Sequence, residues 1–291
     1  VPTPAKSRQA LAAHREWLLR GAPGDAQALA HAGFAAMSIA NNHVMDYGPL
    51  AMRDTIDALH GAGIAASGAG DDLRLAEAPA FFERAGVRFA LLGVSEILPR
   101  ASWATAARAG VAPGRGLGST TIGRTFIDQM AGRVRALRRA ADVVIVYEHW
   151  GTELLSEPTP DQRAFAHAMV DAGAQLVLGA HPHVLGPIER YRDGLIVYSL
   201  GNFVFGAYPG ITARSAVLRV RFAGDHLRGW EAVPVTIAGG APRPAGGADA
   251  RAIAQSLGVP LACNDGLRMP GACVRMAGSQ GEALHHHASA S

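Results

Sequence analysis

Apolar runs alternate with polar clusters along this chain, and the spacing sorts them into strands and helices. Phe34–Ala40, Asp142–Tyr147 and Gln175–Gly179 are short and mostly apolar, and read as buried strands. Helices are expected over Ala10–Arg20, Ala26–Ala32, Pro49–His60, Thr125–Ala141 and Asp161–Ala172. Asp25 is placed to cap the second, Pro49 opens the third at its first turn, and Gly33, Gly61 and Gly173 stand where helices stop. Ile64–Ser67 reads as a further short strand. Pro79–Arg84 and Val87–Val94 form a hairpin about Ala85-Gly86, and Ile188–Arg192 and Leu195–Ser199 another about Asp193-Gly194. Ala216–Phe222 and Leu227–Ile237 make a later strand pair, and Glu96–Thr121 reads as loop.

Strand, polar loop and helix recur three times, which predicts an α/β fold of layered sheets flanked by helices, with antiparallel strands added later. In such sheets ligands gather beyond the carboxyl ends of the strands. The polar clusters fall there. Residues 1–238 read as one domain. From Gly239 the chain turns rich in Gly, Ala and Pro, with one helix expected over Asp249–Leu257 and a disordered end carrying His285–His287.

Composition narrows the function classes. The 291 residues are 49% hydrophobic and 18% charged, as in an ordinary globular protein. The net charge of +3 comes from arginines spread along the chain, and Lys6 is its one lysine. With no basic block, nucleic acid is not an expected partner. No run approaches the ~18 apolar residues that span a membrane. No leader pattern precedes the first helix, and the chain begins at Val1. Cys263 and Cys273 lie in a Gly/Pro-rich stretch, either as a loop-closing disulfide or as two separate thiols.

Among twelve histidines, four differ in placement. His43, His149, His181 and His183 each follow within a few residues of a strand-like run. His14, His31, His60 and His167 sit in or beside helices without partners in spacing. His181-Pro182-His183 is the sharpest signal, because two imidazoles two residues apart on an extended loop can address one ion. Neutral imidazole suits Zn, Mn or Fe. Four such residues are expected to meet at one metal centre.

Asn41-Asn42-His43-Val44-Met45-Asp46-Tyr47-Gly48, His149-Trp150-Gly151-Thr152-Glu153, Gly179-Ala180-His181-Pro182-His183-Val184 and Tyr198-Ser199-Leu200-Gly201-Asn202-Phe203 together resemble the capsule synthesis protein CapA family. That family is associated with bacterial poly-γ-glutamate capsule synthesis and is similar to calcineurin-like metallophosphatases. The resemblance runs from about Ala28 to about Val235. It implies Asn42, His149, His181 and His183 as metal ligands and His43 as the group assisting proton transfer. Asp46 and Glu148 flank these ligands and are candidates to orient the imidazoles, with an Asx-turn the other reading of Asp46. Glu153 touches substrate or solvent, and Asn202 either presents its amide to the site or closes a turn.

The family also opens with an Asp motif and an Asn-Leu-Glu motif, and neither precedes Ala28. The resemblance therefore implies that the first βαβ segment is missing here and that the site holds one divalent ion better than two. Two functions follow. One is a metal-dependent phosphoesterase-like hydrolase of the cell envelope, on its extracytoplasmic face, acting on a phosphoester or an anionic polymer. The other is a non-catalytic module that binds polymer or assembles with the membrane subunits of a capsule synthase around a vestigial metal site.

Overall fold

The computed structural model describes residues 18–22, 24–115, 122–206, 209–259 and 274–277. Its elements run α1 (Asp25–His31), β1 (Ala36–Ser38), α2 (Gly48–Gly61), β2 (Ala65–Ser67), β3 (Ala69–Gly70), α3 (Leu73–Ala76), β4 (Ala80–Arg84), β5 (Val87–Ser95) and β6 (Gly110–Val111). Then follow α4 (Arg124–Leu137), β7 (Val143–His149), α5 (Pro160–Asp171), β8 (Leu176–Ala180), β9 (Ile188–Tyr191) and β10 (Gly194–Val197). The last are β11 (Arg214–Ala223), β12 (His226–Ala238), β13 (Ala241–Pro244), α6 (Gly247–Ser256) and β14 (Val274–Ala277). The fold is mixed α/β, as the alternating pattern implied. No helix among the described residues is long and apolar enough to cross a membrane.

A six-stranded sheet in the order β4-β5-β7-β8-β10-β9 forms the centre. Its inner strands β5, β7, β8 and β10 are parallel, and hairpins supply the antiparallel edges β4 and β9. Successive side chains point to opposite faces, so each inner strand feeds two cores. Val144, Val146, Val177 and Ile196 pack with Phe126, Met130 and Val134 of α4 and Phe165 and Met169 of α5. Leu176, Leu195 and Val197 face the other way, onto Ala216, Trp230 and Ala232 of the antiparallel β11–β12 sheet and onto Ile253 and Leu257 at α6. The result is helices, central sheet, second sheet. β13 pairs with β12, so residues 241–244 extend that second sheet.

A third core unites α1, α2 and the short parallel pair β1–β2 through Ile39, Met52, Leu59 and Ile64. This layer lies close to β5, because a Cβ on Gly93 would stand 2.5 Å from Ser38 Oγ and 3.0 Å from Ser67 O. Glycine at 93 permits that approach, and it sets the loop after β1 beside the central sheet's carboxyl edge.

Several expectations are corrected. Asp25 does not cap α1: Gly24 holds the N-cap position, and the Asp25 carboxylate accepts from Ala22 N instead. The expected first helix falls outside the described residues except for Leu18–Arg20, which are not helical. The third strand–loop unit is followed by the β9–β10 hairpin, not a helix. The stretch read as loop after Glu96 includes a 3-10 turn at Arg100–Ser102 and strand β6. Cys263, Cys273 and the histidine tract lie outside the described residues.

The loop from β7 into α5 is anchored by a capping box. Thr159 Oγ1 accepts from Gln162 N at 3.2 Å, and Gln162 Oε1 accepts from Thr159 N at 2.7 Å. Two otherwise orphaned donors are satisfied reciprocally. Thr159→Ala is expected to lower stability by about 1 kcal/mol, read from the urea midpoint. A change near zero would mean that solvent replaces the cap at no cost.

Candidate metal centre

The carboxyl ends of the parallel strands build the site. In register, Ser95 of β5 pairs with His149 of β7, and His149 pairs with Ala180 of β8. His149 and the residue after Ala180, His181, are thereby neighbours, with ring centroids 4.9 Å apart. The turn after β8 then folds back so that His183 lies 5.9 Å from His181, ring to ring. Both residues take positive φ, 99° for His181 and 60° for His183. Such backbone costs roughly 1–3 kcal/mol per residue and concentrates at functional sites.

Glu153 completes the group. Its carboxylate and ring nitrogens of His181 and His183 lie within 4.8 Å of one another. Two imidazoles and one carboxylate are a donor set for a first-row divalent ion. His149 borders this group rather than joining it, and its Nε2–H donates to Asn42 Oδ1 at 3.0 Å. The loop after β1 thus reaches the site through Asn42, as the order of motifs implied. Of the four predicted ligands, His181 and His183 share the donor group with Glu153, expected to touch only substrate or solvent, while His149 and Asn42 stand beside it.

The surrounding hydrogen bonds fix the rings. His183 Nδ1–H donates to Asn202 Oδ1 at 2.7 Å, and Asn202 Nδ2 donates to Thr212 O at 3.1 Å. That leaves His183 Nε2 for a ligand role. His43 Nδ1–H donates to Asp46 Oδ2 at 2.8 Å. The Asx-turn considered for Asp46 belongs to Asn41, whose Oδ1 accepts from His43 N and Val44 N, both at 2.8 Å. Asp46 Oδ2 also accepts from Leu19 N at 2.9 Å, tying residues 18–22 to the His43 loop.

Two of the imidazoles, His149 and His181, are kept neutral. Burial, then the neighbouring His181, His183 and His43, push His149 down to about 3. Burial, then His183, push His181 down to about 4 against the opposing pull of Glu153. A neutral ring presents its lone pair to a metal without first losing a proton. His181 Nδ1 is moreover buried and has no hydrogen-bond partner among the described residues. The donor set, the neutral rings and this orphaned nitrogen all fit a bound dication.

Glu148 does not orient an imidazole. It belongs to β7 and points to the opposite face from His149, with Val144 and Val146. It is fully buried, and neither carboxylate oxygen has a partner among the described residues. A Cβ on Gly114 would fall 2.0 Å from Glu148 Oε1, so glycine there makes the room. Burial first, then the charge of Glu96, raises its pKa well above the ordinary carboxylate value. From pH 4.5 upward, toward that raised value, the folded protein holds a proton the unfolded chain has lost, and stability falls as pH rises. Glu148→Gln is expected to remove that fall. It should match the parent near pH 4.5 and exceed it at pH 8, read as the urea midpoint at both pH values. A variant weaker than the parent at both pH values would show that the carboxylate is stabilised by contacts of its own.

Residues 3–207 match the family described as bacterial capsule synthesis protein PGA_cap. The capsule biosynthesis protein CapA of Bacillus anthracis is 34% identical over 219 residues, 75% of this chain and 51% of that protein. The PGA biosynthesis protein CapA of Bacillus subtilis (strain 168) is 34% identical over 212 residues, 72% of this chain and 53% of that one. A probable polyglutamine synthesis accessory protein of Mycobacterium tuberculosis is 37% identical over 178 residues, 60% of this chain and 46% of its own length. The chain spans about half the length of the curated relatives it matches. A hypothetical protein from Thermus thermophilus, 19% identical with a TM-score of 0.37 over 74% of this chain and 75% of its own, is too distant to bear on the fold. A family match across residues 3–207, and two relatives at 34% identity over 75% and 72% of the chain, place this protein in the bacterial capsule synthesis PGA_cap family.

Proposed function

We propose that the histidine centre is a metal-dependent, phosphoesterase-like hydrolase site serving poly-γ-glutamate capsule synthesis at the extracytoplasmic face of the cell envelope. One observation carries this reading: Glu153, His181 and His183 converge within 4.8 Å, on a turn whose backbone takes positive φ at both histidines. A divalent ion held there supplies Lewis acidity and an activated water. His181, kept neutral by burial, and His183 would hold the ion, and Asn202 fixes the His183 ring in its tautomer. Asp46 fixes His43 with its proton on Nδ1, which leaves Nε2 as the atom that exchanges a proton with the reacting group. His149 and Asn42 hold each other at the border of the group, where either can turn to a ligand.

A second reading has its own support. The donor group holds one carboxylate among the described residues, fewer than a two-ion phosphoesterase uses to balance charge. On that reading the ion orders a polymer-binding or assembly surface for the membrane subunits of a capsule synthase. Hydrolysis of bis(p-nitrophenyl) phosphate, with Mn²⁺ or Zn²⁺ added and then removed by chelation, separates the two. Turnover that follows the metal supports the hydrolase. Turnover indifferent to chelation sinks it, and metal binding with no turnover favours the assembly module.

A further inference from the structure

A cleft of about 580 Å³ opens beside His43, and its size is that of a small-molecule site, about 300–1,000 Å³. Leu19, Ile39, Val44, Ala51, Val204 and Phe205 line much of it, so the surface it offers is largely hydrocarbon. Single exposed apolar side chains need no account, but Leu19 and Val204, 45% and 75% exposed, share this one hollow. Two other large hollows among the described residues are different. Arg133 pairs with Glu77 in one and Arg53 with Asp71 in the other, so those charges are already met. The cleft beside His43 has no Asp or Glu in its wall, and Arg20 gives it fixed positive charge. A complementary ligand is apolar along its length and anionic at one end.

The cleft runs into the histidine centre. His43 lines it, and Phe205 of its wall packs 5.1 Å from His183, centroid to centroid. Asp46 Oδ2 accepts from both His43 Nδ1 and Leu19 N, so one buried carboxylate places the proton-exchanging ring and the apolar wall together. The Arg20 guanidinium, next along the chain, lies over the Tyr47 ring, 5.9 Å from its centroid. A ligand with its head among Glu153, His181 and His183 therefore has this hydrocarbon-walled hollow alongside it.

We infer that the centre takes an amphiphilic phosphoester: a phosphate esterified to an aliphatic alcohol, with the phosphate at the donor group and the hydrocarbon chain in the cleft. This assignment rests on the phosphoesterase-like reading of the centre, and it names the alcohol that the phosphate carries. Covering the chain and the wall removes both from water, and the gain grows with each methylene covered. Arg20 favours the anionic amphiphile over a neutral one of the same length. Charge and apolar wall act on different ends of the ligand, so the two contributions are separable.

Butyl, hexyl and octyl phosphate, kept below micelle-forming concentrations, test this by calorimetry on the full chain, with and without Mn²⁺. A methylene fully withdrawn from water is worth about fourfold in affinity, and in an open cleft at least about twofold is expected. Octyl phosphate should therefore bind more than about tenfold tighter than butyl phosphate, with or without the ion. Val204→Asn combined with Leu19→Asn, both at exposed positions, should bring octyl phosphate to within about threefold of butyl phosphate. Leu155→Asn, 59% exposed and outside the cleft, should leave the chain-length dependence as in the parent. Octanol, uncharged and of equal length, should bind more weakly than octyl phosphate, and Arg20→Gln should narrow that difference. Mn²⁺ should tighten all three esters by one common factor, and His181→Ala should abolish that factor alone. Chain-length dependence without an Mn²⁺ effect supports the cleft and overturns the reading of the centre. The assignment is overturned if affinity is flat from butyl to octyl, if the double variant keeps the parent's dependence, or if Leu155→Asn loses it equally. It is also overturned if phosphatidylglycerol vesicles bind while monomeric octyl phosphate does not, which would make the wall a membrane contact.

Discussion

His181→Ala is expected to lower affinity for Mn²⁺ or Zn²⁺ by more than about 100-fold, because losing a residue that only orients a ligand costs about 10–100-fold and this change removes a ligand. The residue is the hub of the centre. Its ring faces His149 at 4.9 Å and His183 at 5.9 Å, and its donor atom shares the 4.8 Å cluster with Glu153. Glu153→Gln keeps shape and removes the one negative charge of that cluster, so it should cost nearly as much. Asn202→Ala frees the His183 ring without touching a donor and belongs in the lower range, about 10–100-fold. His60→Ala, at the end of α2 and away from the centre, should change nothing. Affinity is read by competition with a chromophoric chelator, alongside circular dichroism to confirm folding. Unchanged affinity in His181→Ala would remove the centre from consideration as a metal site, and any metal-dependent turnover would need another home.

That ranking could be written only in part from the sequence, and the reason differs by residue. His149, His181 and His183 were legible because strand periodicity ends at each, and parallel strands bring their carboxyl ends together. Glu148 was misplaced because β7 continues through His149, whereas the apolar pattern stops at Tyr147. Once the strand includes His149, alternation alone sends Glu148 to the other face. Glu153 was undecidable, since its direction depends on the path of the Gly151–Ser156 loop, which Thr159 and Gln162 fix from beyond it. The contact of Leu19 with Asp46 spans 27 positions and leaves no local signal. An Ala/Leu-rich stretch there reads as helix, while the tertiary bond to a buried carboxylate holds Leu18–Arg20 out of one. The β4–β5 and β9–β10 hairpins, by contrast, follow from their turns, which are local chemistry.

Lowering the pH of the metal-free protein from 7.5 to 5 should cost about 2–4 kcal/mol through His149 and His181 together. The sign follows from their depressed values. Folded, these rings take a proton only near pH 3 and 4, whereas the unfolded chain takes it near 6.5. Between those limits the unfolded state binds more protons, so stability present above 6.5 is lost as pH falls through the window. Glu148 works in the opposite direction over part of this range, because its raised value makes the folded state hold the extra proton. The measurement is therefore cleanest in the Glu148→Gln background, where the histidine slope stands alone and should be steeper than in the parent. Adding His149→Gln and His181→Gln should flatten it, by removing the two rings that burial keeps neutral. A slope that survives both substitutions would assign the acid lability to other groups. Neutral rings also set the metal response: with no proton to displace at pH 6, their share of metal affinity should stay nearly level from pH 7.5 to 5.5. Ordinary exposed histidines would lose about tenfold per protonated ligand over that span.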